Sequence, residues 1–306
     1  MCYNEHVGSE LMNRIEFDKR YNSDNKISSN EVMKLIMDAD KILIGAGSGL
    51  STAAGLYYEG KRFSDNFQEF ITMYGKENMT NMYHAAFYPF KTSMKKWGYM
   101  SKHVMMNRIN TEALDLYLQL FQLLKDKDYF VITTNVDHQF YKSGFDPDKI
   151  FAMQGDYANI QCSKACHDKL YDATNLIIKM DEQRQSCEVP QDLIPYCPVC
   201  GEEMDLNLRK DSYFVEDELW HKQSKRYVDY VSSLTSGKVL LLEFGVGFNT
   251  PSIIRYPFES LTKNAQNVKL LRFNKDYAFV PREIEERAFI IDEDVNHVIN
   301  NMLEGV

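Results

Sequence analysis

No uninterrupted apolar run in the sequence approaches the roughly 20 residues that cross a bilayer. The stretch from Met1 to Asn30 is polar and holds no apolar signal core. Internal repeats and low-complexity tracts are absent as well. Positive charge is in deficit: 35 Lys and Arg against 44 Asp and Glu give a net charge of -9. A non-specific nucleic-acid binder needs a basic face, so that class is excluded, a local patch aside. Cysteine is scarce, with six in 306 residues, and four of them fall into close pairs, Cys162/Cys166 and Cys197/Cys200. Such pairs suit a metal site in a reducing compartment rather than a spread disulfide framework. Cys2 and Cys187 are read as free thiols. The expectation is a cytosolic, non-membrane protein. Its 44% hydrophobic and 26% charged residues are an ordinary globular balance. The length suffices for one large domain and a smaller one.

Five short apolar runs stand out: Lys41–Ile44, Tyr129–Thr133, Lys238–Phe244, Val268–Phe273 and Ala288–Ile291. They are continuous rather than alternating, as strands buried on both faces of a parallel sheet are. Helical patterns lie between them. Ser29-Asn30-Glu31 precedes an apolar-periodic stretch through Met37 and reads as a capped start. Asn110 to Lys125 is apolar nearly all round and reads as a buried helix. The alternation predicts a Rossmann-like, doubly wound α/β domain. Two segments interrupt it. Residues 56–109 are helical and aromatic-rich, with Tyr57, Tyr58, Phe63, Phe67, Phe70, Tyr83, Phe87 and Trp97. Those rings suit packing of a small helical subdomain more than a cofactor box. Residues 158–208 hold the cysteine pairs. The expected organisation is an N-terminal extension over 1–27 and a catalytic domain over 28–306 that contains both insertions.

Several constellations carry chemistry. Gly45-Ala46-Gly47-Ser48-Gly49-Leu50-Ser51 joins an apolar strand to a helix expected at Thr52-Ala53-Ala54-Gly55. Such a turn lets backbone N–H groups approach a pyrophosphate, or is simply a tight turn. Thr134-Asn135-Val136-Asp137 ends the next strand, where ligands of open α/β sheets bind; a polar helix cap is the alternative. Gln154-Gly155 follows another apolar stretch and is uninformative alone. Cys162-x3-Cys166 and Cys197-x2-Cys200-Gly201 form two knuckles, which together suit a closed, structural four-thiolate zinc site. The wider first knuckle leaves His167 as a competing ligand. Leu242 through Asn249 carries Gly245-Val246-Gly247 at a further strand end.

In this order the motifs resemble the sirtuin family over roughly residues 40 to 300. The resemblance implies NAD as co-substrate. Gly47 through Gly55 matches the first NAD loop; Asn135 and Asp137 match the residues at the nicotinamide and its ribose; Gly245, Val246 and Gly247, with Asn249, match a later dinucleotide loop. Asn274 matches the adenosine-ribose contact, and the cysteines match the zinc ligands. The departures are specific. Gly55-Leu56-Tyr57-Tyr58-Glu59-Gly60-Lys61-Arg62-Phe63 replaces the usual Gly-Ile-Pro-Asp-Phe-Arg, so Tyr58, Arg62 and Phe63 are expected to cover the cofactor. Thr134 replaces a glutamine. Gln154 stands where sirtuins carry a general-base histidine, and glutamine cannot take a proton. Deacylation should suffer while ADP-ribosyl transfer stays feasible. These departures resemble the macrodomain-linked microbial branch, which implies mono-ADP-ribosylation of a lipoylated glycine cleavage H-like carrier and a macrodomain hydrolase that reverses it. Arg209 is expected at the site edge, binding a phosphate or an acceptor carboxylate. Two rivals are a deacylase recruiting Asp137, Asp156 or His138 as base, and a NAD or ADP-ribose sensor without catalysis.

Overall fold

The computed structural model describes residues 14–304, so Cys2 and the first part of the expected extension lie outside the described residues. In chain order the strands are β1 (Tyr21–Asn22), β2 (Lys41–Ala46), β3 (Asp128–Thr133), β4 (Ile150–Ala152), β5 (Gly155–Cys162), β6 (Tyr171–Asp172), β7 (Met204–Leu208), β8 (Val239–Phe244), β9 (Val268–Phe273), β10 (Val280–Pro281) and β11 (Ala288–Ile291). The five apolar runs become β2, β3, β8, β9 and β11. Each is buried along most of its length, as a strand between two helical layers must be. With β4 they make one sheet in the order β11-β9-β8-β2-β3-β4, every pair parallel. That is the doubly wound dinucleotide order, with its switch point between β2 and β8. The expected α/β class is borne out. β4, a three-residue edge strand, is the apolar stretch before Gln154, too short to be read as a strand by itself.

One face of the sheet carries the helices Ser29–Asp38, Asp115–Leu124 and Val295–Glu304, packed around Ile36, Ile44, Leu120, Leu242 and Ile299. The other carries Glu218–Ser232 and Arg255–Asn264 over Leu43, Phe130, Leu241, Phe258 and Leu270. Two local expectations shift. The helix Ser29–Asp38 is capped by Ser28, not Ser29: Glu31 N–H donates to Ser28 Oγ at 3.4 Å, and the Glu31 carboxylate accepts from Ser28 N–H at 2.9 Å, a reciprocal capping box. The Leu-rich helix begins at Asp115 rather than Asn110, because Leu114 is extended and its N–H donates to Gln139 Oε1 at 2.9 Å. It is also one-faced, with Leu118 exposed.

The two interrupting segments pack on each other as a second lobe. The helices Gly60–Asn66, Gln68–Tyr74, Met82–Ala86 and Ser93–Val104, the π-helical turn Met105–Ile109, and the helix Thr174–Gln183 surround the antiparallel sheet β6-β5-β7. Phe63, Phe67, Phe70, Trp97 and Tyr99 share one core with Ile160, Cys162, Ile177 and Leu206. Most of the aromatic segment is therefore packing, while Tyr57, Tyr83 and Phe87 are exposed. Among the described residues no helix is long and apolar enough to cross a membrane.

Candidate active site

At the switch point the loops after β2 and β8 touch backbone to backbone. Gly47 N–H donates to Phe244 O at 2.9 Å, and Gly49 N–H to Gly245 O at 3.0 Å. A Cβ on Gly49 would sit 2.6 Å from Gly245 Cα, and Gly245 has φ +57°, so no larger residue fits either position without displacement. The short helix Ser48–Ala53 starts here, with Ser48 exposed, Leu50 buried and Ala54 at its C-cap. Gly45, Ala46 and Val246 are buried, whereas Asn249 is exposed and Gly247 half-buried. Asn274 staples the neighbouring loops. Its Nδ2 donates to Val246 O at 2.9 Å, and its Oδ1 accepts from the N–H groups of Asp276 and Tyr277 at 3.1 and 2.9 Å.

The end of β3 holds the densest polar network. Thr134 N–H donates to Ala46 O at 3.0 Å, tying the strand ends together. Asn135 Nδ2 lies 3.0 Å from Gly47 O, 3.1 Å from Ser51 Oγ and 3.2 Å from Tyr117 OH. Its Oδ1 accepts no hydrogen bond among the described residues. Asp137 accepts from Ser51 Oγ at 2.5 Å and from Gln139 N–H at 3.0 Å. Burial lifts the Asp137 carboxyl above the usual range, against the pull of those two donors. The structure thus brings Asn135, Asp137 and Ser51 together. Tyr117, which completes the network, was missed; it is the one hydroxyl-bearing residue of the helix Asp115–Leu124.

Gln154 sits in the turn between β4 and β5, where the sheet passes into the second lobe. Gly155 has φ +96°, and a Cβ there would lie 1.9 Å from Asn207 O, which accounts for glycine after Gln154. Arg209 N–H donates to Gln154 O at 3.1 Å. The Arg209 guanidinium is held beside this turn by Glu216 at 2.5 Å and by the rings of Phe214 and Trp220 at 4.3 and 5.4 Å. Asp156 accepts from Arg108 Nε at 3.0 Å and Ala158 N–H at 2.8 Å, and pairs with His138 Nδ1 at 2.6 Å. Burial opposes its charge, but the His138 hydrogen bond and Arg108 hold the carboxyl below the usual range.

The segment after Gly55 braces itself. Tyr58 OH is 3.1 Å from Tyr157 OH, which is 2.9 Å from His103 Nε2. Burial, helped by Arg62, pulls His103 down to about 3, so it is a neutral partner. Arg62 donates to Asn107 Oδ1 and to Met106 O, both at 2.8 Å, and to Tyr57 O at 3.0 Å. Phe63 is a core side chain stacked on Phe67 at 5.3 Å. Arg62 and Phe63 therefore shape this segment from within.

Far from these strand ends, Cys162, Cys166, Cys197 and Cys200 converge with all four sulfurs within 4.8 Å of one another. The Cys162–Cys200 and Cys166–Cys197 sulfurs are 3.5 and 3.6 Å apart. A disulfide needs about 2 Å. Tetrahedral thiolates at about 2.3 Å from zinc lie about 3.8 Å apart, so the donor set fits that ion. His167 Nδ1 lies 3.1 Å from Cys166 Sγ and its Nε2 is bonded to Tyr171 OH at 3.0 Å, which places it beside the cluster rather than in it.

No family model matches the chain. The chain is 34% identical over 284 residues to a Staphylococcus aureus (strain Mu50 / ATCC 700699) protein named protein ADP-ribosyltransferase, covering 92% of this chain and 89% of that one. It is 29% identical over 288 residues to a Fusarium oxysporum f. sp. cubense protein named probable bifunctional ADP-ribose hydrolase/ADP-ribosyltransferase, covering 88% of this chain but only 46% of that longer protein. Among solved structures, Sir2Tm bound to a propionylated peptide matches with a TM-score of 0.55 and 16% identity, over 91% of this chain and 99% of that one. A mutant Sir2 homologue in complex with ADP ribose matches with a TM-score of 0.56 and 13% identity, over 90% and 94%. At these identities the likeness is one of fold.

Proposed function

We propose that this chain, which belongs to the sirtuin-type protein ADP-ribosyltransferases, moves the ADP-ribosyl group of NAD onto a protein acceptor and releases nicotinamide. The observation that carries this reading is the likeness to the staphylococcal transferase along nearly the whole chain. Gln154 agrees with it, since an amide orients ribose hydroxyls without taking their protons. The loops at Gly47 and Gly245 would face the pyrophosphate and Asn274 the adenosine ribose. Asn135, Asp137 and Gln154 would hold the nicotinamide end, and Arg209 an acceptor carboxylate or a phosphate. The four cysteines would hold a structural zinc, which supplies folding free energy to the second lobe and takes no part in the chemistry. A lipoylated glycine cleavage H-like carrier is the acceptor this reading favours, with a cytosolic setting. A separate hydrolase would reverse the modification, since the fungal relative is named for both activities.

The test is transfer of labelled ADP-ribose from NAD to such a carrier. Asn135→Ala and Gln154→Ala should each lower transfer by on the order of 100-fold, the scale of lost orientation. NAD affinity, followed by thermal shift, should fall less. Transfer at the parent rate by both variants would sink the site; deacylation of acyl-lysine peptides without any transfer would sink the activity.

A further inference from the structure

An acceptor that attacks C1′ must shed a proton; none of Asn135, Gln154 or Arg209 is a group that takes one, and both oxygens of Asp137 are already held, by Ser51 Oγ and by Gln139 N–H. His138 is such a group, and four observations single it out. First, it is a non-glycine residue held at φ +67°, a left-handed conformation that carries a backbone cost. Second, its Nδ1 is fixed 2.6 Å from Asp156, whose other oxygen is held by Arg108 and the Ala158 N–H. Third, its ring lies on Tyr141, with centroids 4.3 Å apart and planes 20° from parallel, so its orientation is set as well. Fourth, its Nε2 makes no hydrogen bond among the described residues, and the side chain is 29% exposed. A carboxylate on Nδ1–H leaves Nε2 as the acceptor nitrogen, the arrangement of an activated catalytic histidine. His138 also lines the same small cavity as Thr133, Asn135, Asp137 and Gly155, so the pair belongs to the strand ends already described.

We propose that His138, positioned by Asp156, is the proton acceptor of the transfer reaction, in the role that residue 154 cannot fill. This deepens the transferase reading and rests on it. In the step, the acceptor's lone pair forms the bond to C1′ while the C1′–N bond to nicotinamide breaks. The bonding pair returns to the ring nitrogen and neutralises the pyridinium. The acceptor's proton passes to His138 Nε2, and the imidazolium later releases it to water. His138 is the catalytic residue of this step; Asp156 is a positioning residue. The charged and titratable groups around the imidazole are Asp156 on β5, Asp137 on its own loop, Tyr141 and Lys142 on the helix Gln139–Lys142, and Arg108 behind Asp156.

The experiment measures nicotinamide release from NAD in the presence of a lipoylated carrier, across pH, with NAD affinity measured alongside. The parent rate should fall tenfold per pH unit on an acid limb, because the base must be unprotonated. His138→Asn, which still tolerates the left-handed backbone, should lose about 100-fold or more, the usual scale of a general base, and lose that limb. His138→Gly relieves the backbone angle, which offsets part of the lost Asp156 and Tyr141 contacts, so it should still fold and lose as much. Asp156→Asn takes away the carboxylate that orients Nδ1, so kcat should fall by about 10-fold or more while KM for NAD changes little, and Asp156→Glu should restore part of the rate. Histidine variants that keep the parent rate within about threefold and keep the limb would overturn the proposal while leaving the transferase reading intact. A parent that releases no nicotinamide would overturn both.

Discussion

The sheet lobe and the second lobe are held together by different means. The sheet lobe buries long parallel strands of Val, Ile, Leu and Phe between two helical layers. Where charge enters that core it is neutralised by charge: Glu243 and Arg272, both fully buried, are joined by two hydrogen bonds of 2.7 and 2.9 Å. Arg255 and Glu259 flank that pair. The second lobe has strands of two, five and eight residues, a cluster of aromatic rings, and four converging thiols. Its strands are short, and a metal held by those thiols would staple them together. The two stabilities should therefore be separable, and Gln154 and Gly155 lie where one lobe passes into the other.

The largest effect should come from removing the staple. Cys197→Ala should lose the metal by elemental analysis and unfold the second lobe, because structural zinc contributes folding free energy directly. Hydrogen exchange should show the sheet amides still protected. Full protection in both lobes after loss of the cysteine would break the comparison. Next in size is Glu243→Gln in the sheet lobe. Burial works against the Arg272 charge, but Glu243 and Glu259 together more than offset it and hold that guanidinium above its ordinary pKa; burial and Arg272 together pull Arg255 down to about 10. Removing the carboxylate charge leaves buried cations underpaired and should cost about 3–5 kcal/mol in urea unfolding. Metal content should not change. A cost below about 1 kcal/mol would mean that the network is solvated rather than buried.

Most of the sheet lobe was legible, because continuous apolar runs have one common use, as strands covered on both sides. β4 was not, since three residues make no period. The Asn110–Lys125 pattern ran past the true helix start because Leu114 looks helical in composition, yet its N–H goes to Gln139. The strand-end motifs and the cysteine pairs were legible through local spacing. The partners of those residues were not. Tyr117 reaches Asn135 from a helix, Arg108 reaches Asp156 from a π-turn, and Arg272 meets Glu243 across neighbouring strands. None of these pairings leaves a sequence-local trace. His138 was visible only as one base among three, and its pairing with Asp156 depends on the fold of two separate segments.

At the joint itself the expected stability effects are smaller. Gly155→Ala places a Cβ against Asn207 O at a backbone angle that L side chains rarely adopt. Strain of that kind costs about 1–3 kcal/mol. Because Gln154 precedes it directly, ADP-ribosyl transfer should fall by more than stability does. A Gly155→Ala protein with the parent midpoint in urea and the parent rate would show that the turn is not a constraint.

The smallest expected effect is that of Gln154→His. The turn at 154 is half-buried and tied by its backbone carbonyl to Arg209 N–H, an interaction that does not depend on the side chain. Neither lobe should lose stability. Restoring an imidazole here should also fail to yield efficient deacylation of acetyl-lysine peptides. A general base must lie within hydrogen-bond reach of the proton it takes, and that reach depends on how its neighbours hold the substrate. Those neighbours differ from the deacylase pattern. Thr134 stands where a glutamine is usual, and the Tyr57-Tyr58 segment is braced within the second lobe by Tyr157 and Arg62. Acetyl-peptide turnover by the single variant should stay at the parent's level, with an unchanged unfolding midpoint. Robust deacetylation would mean that position 154 alone separates the two activities, and that the lobes already present an acyl-peptide site.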